Sequence, residues 1–240
     1  FPVCLYFGIG LCFLNCLLQH FKSKRFIVND GFPVFSGIEK VGTYAIAGWN
    51  PLTEIAVESG AVGFVAVGGV LYYGKKVVLG VNKPTITFKE NTSAIGERAF
   101  AFCDKITSLT IPETVTEIGR FAFSECMGLK SVSIPSGVDE VGYGAFFGCI
   151  SEEEVSLGSG VQVLDGLSFA GMPSMVLCKI PNTIEKIWRV IGEEAFAGCS
   201  SSLFFGKTDR NGYEHIVPQL PTENIGDLGV PVRVVFHLDL

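Results

Sequence analysis

The groups with chemistry to offer on this chain are eight cysteines, three histidines, one acidic run and a recurring set of serines and threonines. Cys103, Cys126 and Cys149 follow one another at 23 residues, so a regular stacking of the chain puts them in one column. Structural zinc wants close pairs such as C-x-x-C, and the sequence has none. A disulfide wants Cβ atoms ~3.8 Å apart, whereas side chains stacked in parallel keep the ~4.8 Å spacing of neighbouring strands. Bonding would distort the stack. The three thiols are therefore read as small buried hydrophobes. Cys178 stands where a related phrase carries Leu109 and is read the same way.

The remaining candidates are weaker. His20, His215 and His237 all lie outside the recurring part of the chain, and a general base or metal centre made from them would need its two ends to meet. Glu152-Glu153-Glu154 reads as a solvated strand face, with a cation or basic-partner contact as the alternative. Gly68-Gly69 lacks the spacing of a phosphate-cradling loop. Asn91-Thr92-Ser93 has the form of a glycosylation acceptor, which matters only in a eukaryotic secretory route. No catalytic residue, metal or cofactor is expected, and the chain is read as no enzyme.

The elements that position these groups come from a repeat. Phe100, Phe123, Phe146 and Phe169 are 23 residues apart, and Phe196 follows after 27. Around them Ile95-Gly96-x-x-Ala99-Phe100-x-x-Cys103 returns at Ile118 to Cys126 and at Val141 to Cys149. Between them runs Leu109-Thr110-Ile111-Pro112-x-x-Val115, with copies at Val132, Val155 and Cys178. Apolar residues two apart predict a strand with one buried face, ended by a proline that cannot donate to a ladder. The Ile-Gly pair suits a corner needing a permissive backbone. Phe and Cys three apart share one face of a short helical turn. Such a unit buries its apolar side only against its neighbours, which makes the array a solenoid.

The phrase I-P-x-x-V-x-x-I-G-x-x-A-F-x-x-C resembles the BspA-like class of leucine-rich repeats, from Pro84 to Cys199. A more divergent copy runs from Ile38 through Val41, Ala45 and Ile46 to Trp49. Gly68-Gly69-Val70-Leu71-Tyr72-Tyr73 is similar to the hairpin-like insert that members of the class carry within a repeat. The resemblance implies an α/β, β-rich leucine-rich-repeat solenoid, horseshoe-like, with parallel strands and short helical turns. It departs at Ser168 and Met172, which replace alanine and cysteine, and at Trp188 to Ile191, read as a four-residue insertion bulging from a corner. The expected organisation is an apolar leader at 1–25, the solenoid at 26–205 with an insert at about 58–84, and a cap or truncated tail at 206–240.

Net charge of −6 and pI near 5.1 argue against nucleic acid, which needs clustered Lys and Arg. Residues 1–18 carry no charge, and Lys22, Lys24 and Arg25 follow. They read as a secretory signal core, as a membrane anchor giving membrane association, or as buried capping structure or a translation artefact. Cys4, Cys12 and Cys16 fall in this leader.

Strand alternation turns Thr87, Thr110, Ser133, Ser156 and Lys179 outward in one column. Ser108, Ser131, Glu154 and Leu177 form a second. Thr87, Thr110, Ser133, Ser156, Lys179, Ser108, Ser131 and Glu154 are the candidate partner-binding residues. The resulting expectation is a monomeric, non-enzymatic interaction module binding a protein or glycan partner through this face. The resemblance places it outside the cell or on its surface; an anchor with its positive charges inside would place it in the cytoplasm. The alternatives are the repeat arm of a larger enzyme or receptor, and a spacer without a ligand.

Overall fold

A computed structural model describes residues 21–29, 32–41, 54–57, 62–151, 154–180, 190–191, 194–199, 204–208 and 214–216, the strands before residue 41 and after residue 190 by their backbone. Residues 1–20 of the leader, the Gly42 to Trp49 part of the divergent copy and His237 lie outside them.

Sixteen strands are described. β1 (Phe21–Asn29) pairs antiparallel with β2 (Phe32–Val41), which pairs parallel with β3 (Ala56–Val57). β4 (Phe64–Val67), β5 (Val70–Tyr73) and β6 (Lys76–Leu79) form an antiparallel meander, and this is the insert. Its first turn is Gly68-Gly69 with φ of 60° and 86°, the left-handed pair that a two-residue hairpin of matching twist requires. From β6 a parallel ladder follows the corner of each unit: β7 (Ala94–Ile95), then β8 (Glu117–Ile118). After β9 (Ser131–Ser133), β10 (Glu140–Val141) continues that corner ladder. β9 instead opens a second parallel ladder with β11 (Glu154–Ser156). β12 (Val163–Leu164) and β14 (Val190–Ile191) extend the corner; β13 (Leu177–Ile180) and β15 (Phe204–Thr208) extend the second ladder. β16 (Glu214–Ile216) closes it antiparallel. The two earliest copies of the strand phrase meet in a single parallel bridge, Thr85 to Ser108. Val190–Ile191 is thus the corner strand in register with Val163–Leu164, so the extra residues expected at Trp188 to Ile191 fall before residue 190.

The expected helical turns are not there. Among the described residues there is no helix, and Ala-Phe-x-x-Cys is a ribbon of successive turns. Alternate amides have alternate destinations. Ala99, Ala101 and Cys103 donate to the carbonyls three residues back, at Gly96, Arg98 and Phe100. Arg98, Phe100 and Phe102 donate to Arg120, Ala122 and Ser124 of the next coil, at 3.0, 2.8 and 2.8 Å. This alternation requires left-handed backbone at the third residue of a turn, and Arg98 and Phe102 have φ of 55° and 64°. The next coils repeat it at Phe121 and Glu125, then at Gly144 and Gly148. A helix would send those amides back along its own chain and leave the neighbouring coil unpaired.

The core is columnar. Phe100, Phe123, Phe146, Phe169 and Phe196 are fully buried and stack nearly parallel, with successive centroids 5.1, 5.2, 5.3 and 5.7 Å apart. Val77, Ile95, Ile118, Val141 and Leu164 line the corner, and Ile86, Leu109, Val132, Val155 and Cys178 the second ladder. The corner glycines are needed for space rather than for a special φ: a Cβ at Gly96, Gly119 or Gly142 would meet backbone of the preceding coil at 2.5, 2.8 and 2.8 Å.

One core position is mismatched. Ser168, fully buried where other coils carry alanine, has no hydrogen-bond partner for its Oγ among the described residues. A buried hydroxyl without a partner costs ~1–3 kcal/mol. Ser168→Ala should therefore stabilise the protein by about 1 kcal/mol, read as a raised denaturant midpoint at unchanged slope.

Candidate functional site

The second ladder turns its inward positions to the core and leaves its other face in solvent. Thr87, Ser108, Thr110, Ser131 and Ser133 are exposed, and Glu154, Ser156, Leu177 and Lys179 are partly exposed. The pairing sets them in register: Ser131, Glu154 and Leu177 face one another, as do Ser133, Ser156 and Lys179. Ser131, Ser133, Glu154, Ser156 and Lys179 of the eight candidates therefore form two adjacent columns of one surface, and Thr87, Ser108 and Thr110 are exposed at the equivalent alternating positions of the two preceding coils. Thr85 belongs with them, exposed and bridged to Ser108. It was missed in the sequence, although Thr85-x-Thr87 repeats the spacing of Ser108-x-Thr110.

The character of this face changes along the array. From Thr85 to Ser133 its outward side chains are uncharged hydroxyls. Further on, Lys179 Nζ lies 3.0 Å from Glu154 Oε1, and Ser156 Oγ donates to the same carboxylate at 3.4 Å. Both charged groups are about a third exposed or more, at 32% and 40%, so solvent screens the pair and its worth to folding is small. Glu152 and Glu153 lie outside the described residues.

A second surface lies at the corner. A groove of about 550 Å³ is lined by Lys76, Glu97, Glu117, Arg120, Asp139 and Glu140, together with Gly119 and Gly142. Sequence reasoning did not find it, since its charged residues occupy positions that vary from coil to coil. Lys76 Nζ is 2.8 Å from Glu117 Oε1 across the small, buried Ala94.

The cysteines are not placed for chemistry. Cys103, Cys126, Cys149, Cys178 and Cys199 are free thiols. Cys126 and Cys149 Sγ donate to the Phe100 and Phe123 carbonyls of the preceding coil at 3.2 and 3.3 Å, and Cys199 to Phe169 at 3.1 Å. Burial, with the nearby charge of Asp104, pushes the Cys103 thiol up to about 12. Burial raises Cys199 to about 12 as well, against a lowering hydrogen bond at Met172. Burial also raises Cys178, and neighbouring Cys199 adds to it. Cys103, Cys126 and Cys149 are buried, so native protein should label slowly at all three and completely on unfolding. The raised values favour the folded state fully below pH 9, the ordinary thiol value. Above it an unfolded chain ionises first, so this contribution should fade between pH 9 and about 12. Alkylation followed by mass spectrometry across that range checks both statements. Fast labelling of native protein, or a linked pair, would contradict them.

Among the described residues no three His, Cys, Asp or Glu side chains are placed to hold a metal, and no helix is long and apolar enough to cross a membrane. His215 lies on β16, outside the two ladders' repeated strands.

A family model for the BspA type leucine-rich repeat region matches residues 79–203 in six copies. The chain belongs to the BspA-type leucine-rich repeat family. Its solved likenesses are bacterial. A leucine-rich cell surface protein from Faecalibacterium prausnitzii superposes with a TM-score of 0.61 at 24% identity, over 75% of this chain and 49% of that one. A leucine-rich repeat protein from Bacteroides ovatus is 27% identical at a TM-score of 0.41, over 78% of this chain and 39% of that one. The chain thus spans about half the length of the first and less of the second. No curated protein matches. The F. prausnitzii likeness shows the solenoid of stacked parallel strands, and in this BspA-type chain that solenoid is what sets the two outward columns side by side.

Proposed function

We propose that this BspA-type chain is a non-enzymatic interaction module that binds a protein or glycan partner through the outward face of the second ladder. One observation carries this reading: Thr85, Thr87, Ser108, Thr110, Ser131 and Ser133 are exposed, uncharged, short polar side chains at the same two alternating positions of successive coils, with Thr85 bridged to Ser108 and Ser131 and Ser133 paired with the next strand. Such groups lose little side-chain entropy when ordered. They offer donors and acceptors at a constant spacing over several coils, so weak contacts add along an extended ligand. A cell-surface setting is supported by the cell surface protein of F. prausnitzii with the same fold.

The test begins with partners captured from surface-protein extracts and from a glycan array. Glu154→Lys, Lys179→Glu and Ser133→Trp should each weaken binding of a captured partner about tenfold, with the circular dichroism spectrum unchanged because exposed positions tolerate substitution. Binding should also fade stepwise as terminal coils are removed, since each adds part of the surface. Affinity that survives all three changes, yet disappears when Gly68–Lys76 is deleted, would move the site off this face.

A further inference from the structure

The coils set a fixed step along the outward face. From Phe100 to Phe169 successive rings stand 5.1, 5.2 and 5.3 Å apart and within 10° of parallel. Thr85 with Thr87, Ser108 with Thr110 and Ser131 with Ser133 occupy the same positions of successive coils, so they recur at that step. A ligand that touches coil after coil must repeat at the same step.

The hydroxyls of this face are uncommitted. Other threonines of the same coils turn back to the preceding coil: Thr107 Oγ1 donates to Pro84 O at 3.3 Å, Thr114 Oγ1 to Thr92 O at 2.7 Å and Thr116 Oγ1 to Ser93 O at 3.3 Å. Among the described residues no such partner holds the hydroxyls of Thr85, Thr87, Ser108, Thr110, Ser131 or Ser133. Each can donate one hydrogen bond and accept two.

Step and chemistry together select the ligand. An extended peptide advances ~3.3 Å per residue, so its same-face side chains recur at ~6.6 Å. Laid along the columns, it is out of register by the third coil. An amphipathic helix or a polyproline segment docks in an apolar or aromatic groove, and from Thr85 to Ser133 the outward side chains are hydroxyls alone. A diequatorially linked pyranose advances by about one strand spacing, so a straight chain of them presents one sugar to each coil. Successive sugars turn over along such a chain, and hydroxyls accommodate the reversal because they donate and accept alike.

Taking the outward face of the second ladder as the binding surface, we propose that its ligand is an uncharged, diequatorially linked polysaccharide lying along the solenoid axis, one sugar to a coil. The row of contacts runs from Thr87 through Thr110, Ser133 and Ser156 to Lys179, five coils in all.

Calorimetric titration of the full chain with the di- to hexasaccharides of β-1,4-linked glucose and of β-1,4-linked N-acetylglucosamine tests this. In at least one series affinity should rise about threefold with each sugar up to the pentasaccharide, the worth of a weak net hydrogen bond, and then level. The α-linked glucose hexasaccharide, which curls, should not bind. Thr110→Val removes one hydroxyl at nearly unchanged shape. It should lower pentasaccharide affinity about threefold and leave the thermal melt in place. Flat affinities in both series, equal binding of the α-linked hexasaccharide, or a rise that Thr110→Val leaves untouched would each overturn the proposal. A captured protein partner weakened by Ser133→Trp, with flat glycan affinities, would overturn it while sustaining the binding face. Loss of every partner only on deletion of Gly68–Lys76 would remove both.

Discussion

Phe123→Ala is expected to lower stability by ~3–5 kcal/mol, the range for removing a fully buried aromatic ring. Phe123 is wholly inaccessible and lies between two rings, 5.1 Å from Phe100 at 4° and 5.2 Å from Phe146 at 10°. Its loss removes two stacked contacts together, beyond the area buried. The damage should also spread. In a solenoid each coil is stabilised by its neighbours, so a cavity in this inner coil weakens both of its interfaces. Urea titration checks this against Thr110→Ala, whose side chain is exposed and whose loss should cost within about 0.5 kcal/mol. Equal midpoints for the two variants would refute the stacked column as the source of stability.

Gly119→Ala should cost ~1–3 kcal/mol as an overpacked site. The added Cβ would stand 2.8 Å from the Glu97 amide nitrogen and 3.0 Å from the Ile95 carbonyl oxygen, both backbone atoms. Backbone cannot swing aside as a side chain can. The corner must instead separate from the preceding coil, lengthening the bond from the Gly119 amide to Ile95 O, now 2.9 Å. The fourth coil carries Asp165 at this position, its Oδ1 accepting the Gly166 amide, so a corner can be built around a side chain when its own turn is altered. Gly74→Ala is the control. It has no atom within 4 Å and a φ of 60°, so it bears backbone strain without collision. A thermal melt in which Gly119→Ala loses no more than Gly74→Ala would show that the coils are not in close contact here.

Much of the fold was legible because the repeat multiplies every signal. One Ile-Gly-x-x-Ala-Phe phrase means little; its recurrence in register, with some positions changed, fixes the column of Phe100 to Phe196, and the structure stacks those rings face to face. Alternation about Leu109, Val132 and Val155 was likewise enough to turn Thr110, Ser133 and Ser156 outward. The turn ribbon was misread as helical because Phe100 and Cys103 are buried together in either geometry. A signal against the helix was present but lay down a column rather than along the chain. The residue before the cysteine position is Phe102, Glu125, Gly148, Gly171 and Gly198, all with positive φ, and three glycines there point to left-handed backbone.

The sequence by itself determined the period, the buried columns and the residues that face solvent, since burial follows from the alternation of apolar side chains whatever the path of the corner. Only the tertiary structure decided where each backbone amide goes. That choice depends on a carbonyl of the next coil lying within 3 Å of Arg98, Phe100 and Phe102, and no local preference of those residues contains it. The pairing of Glu154 with Lys179, the corner groove and the Gly80 contact with Phe100 were settled the same way. Each joins residues more than a dozen positions apart in the chain, and stacking brings them together.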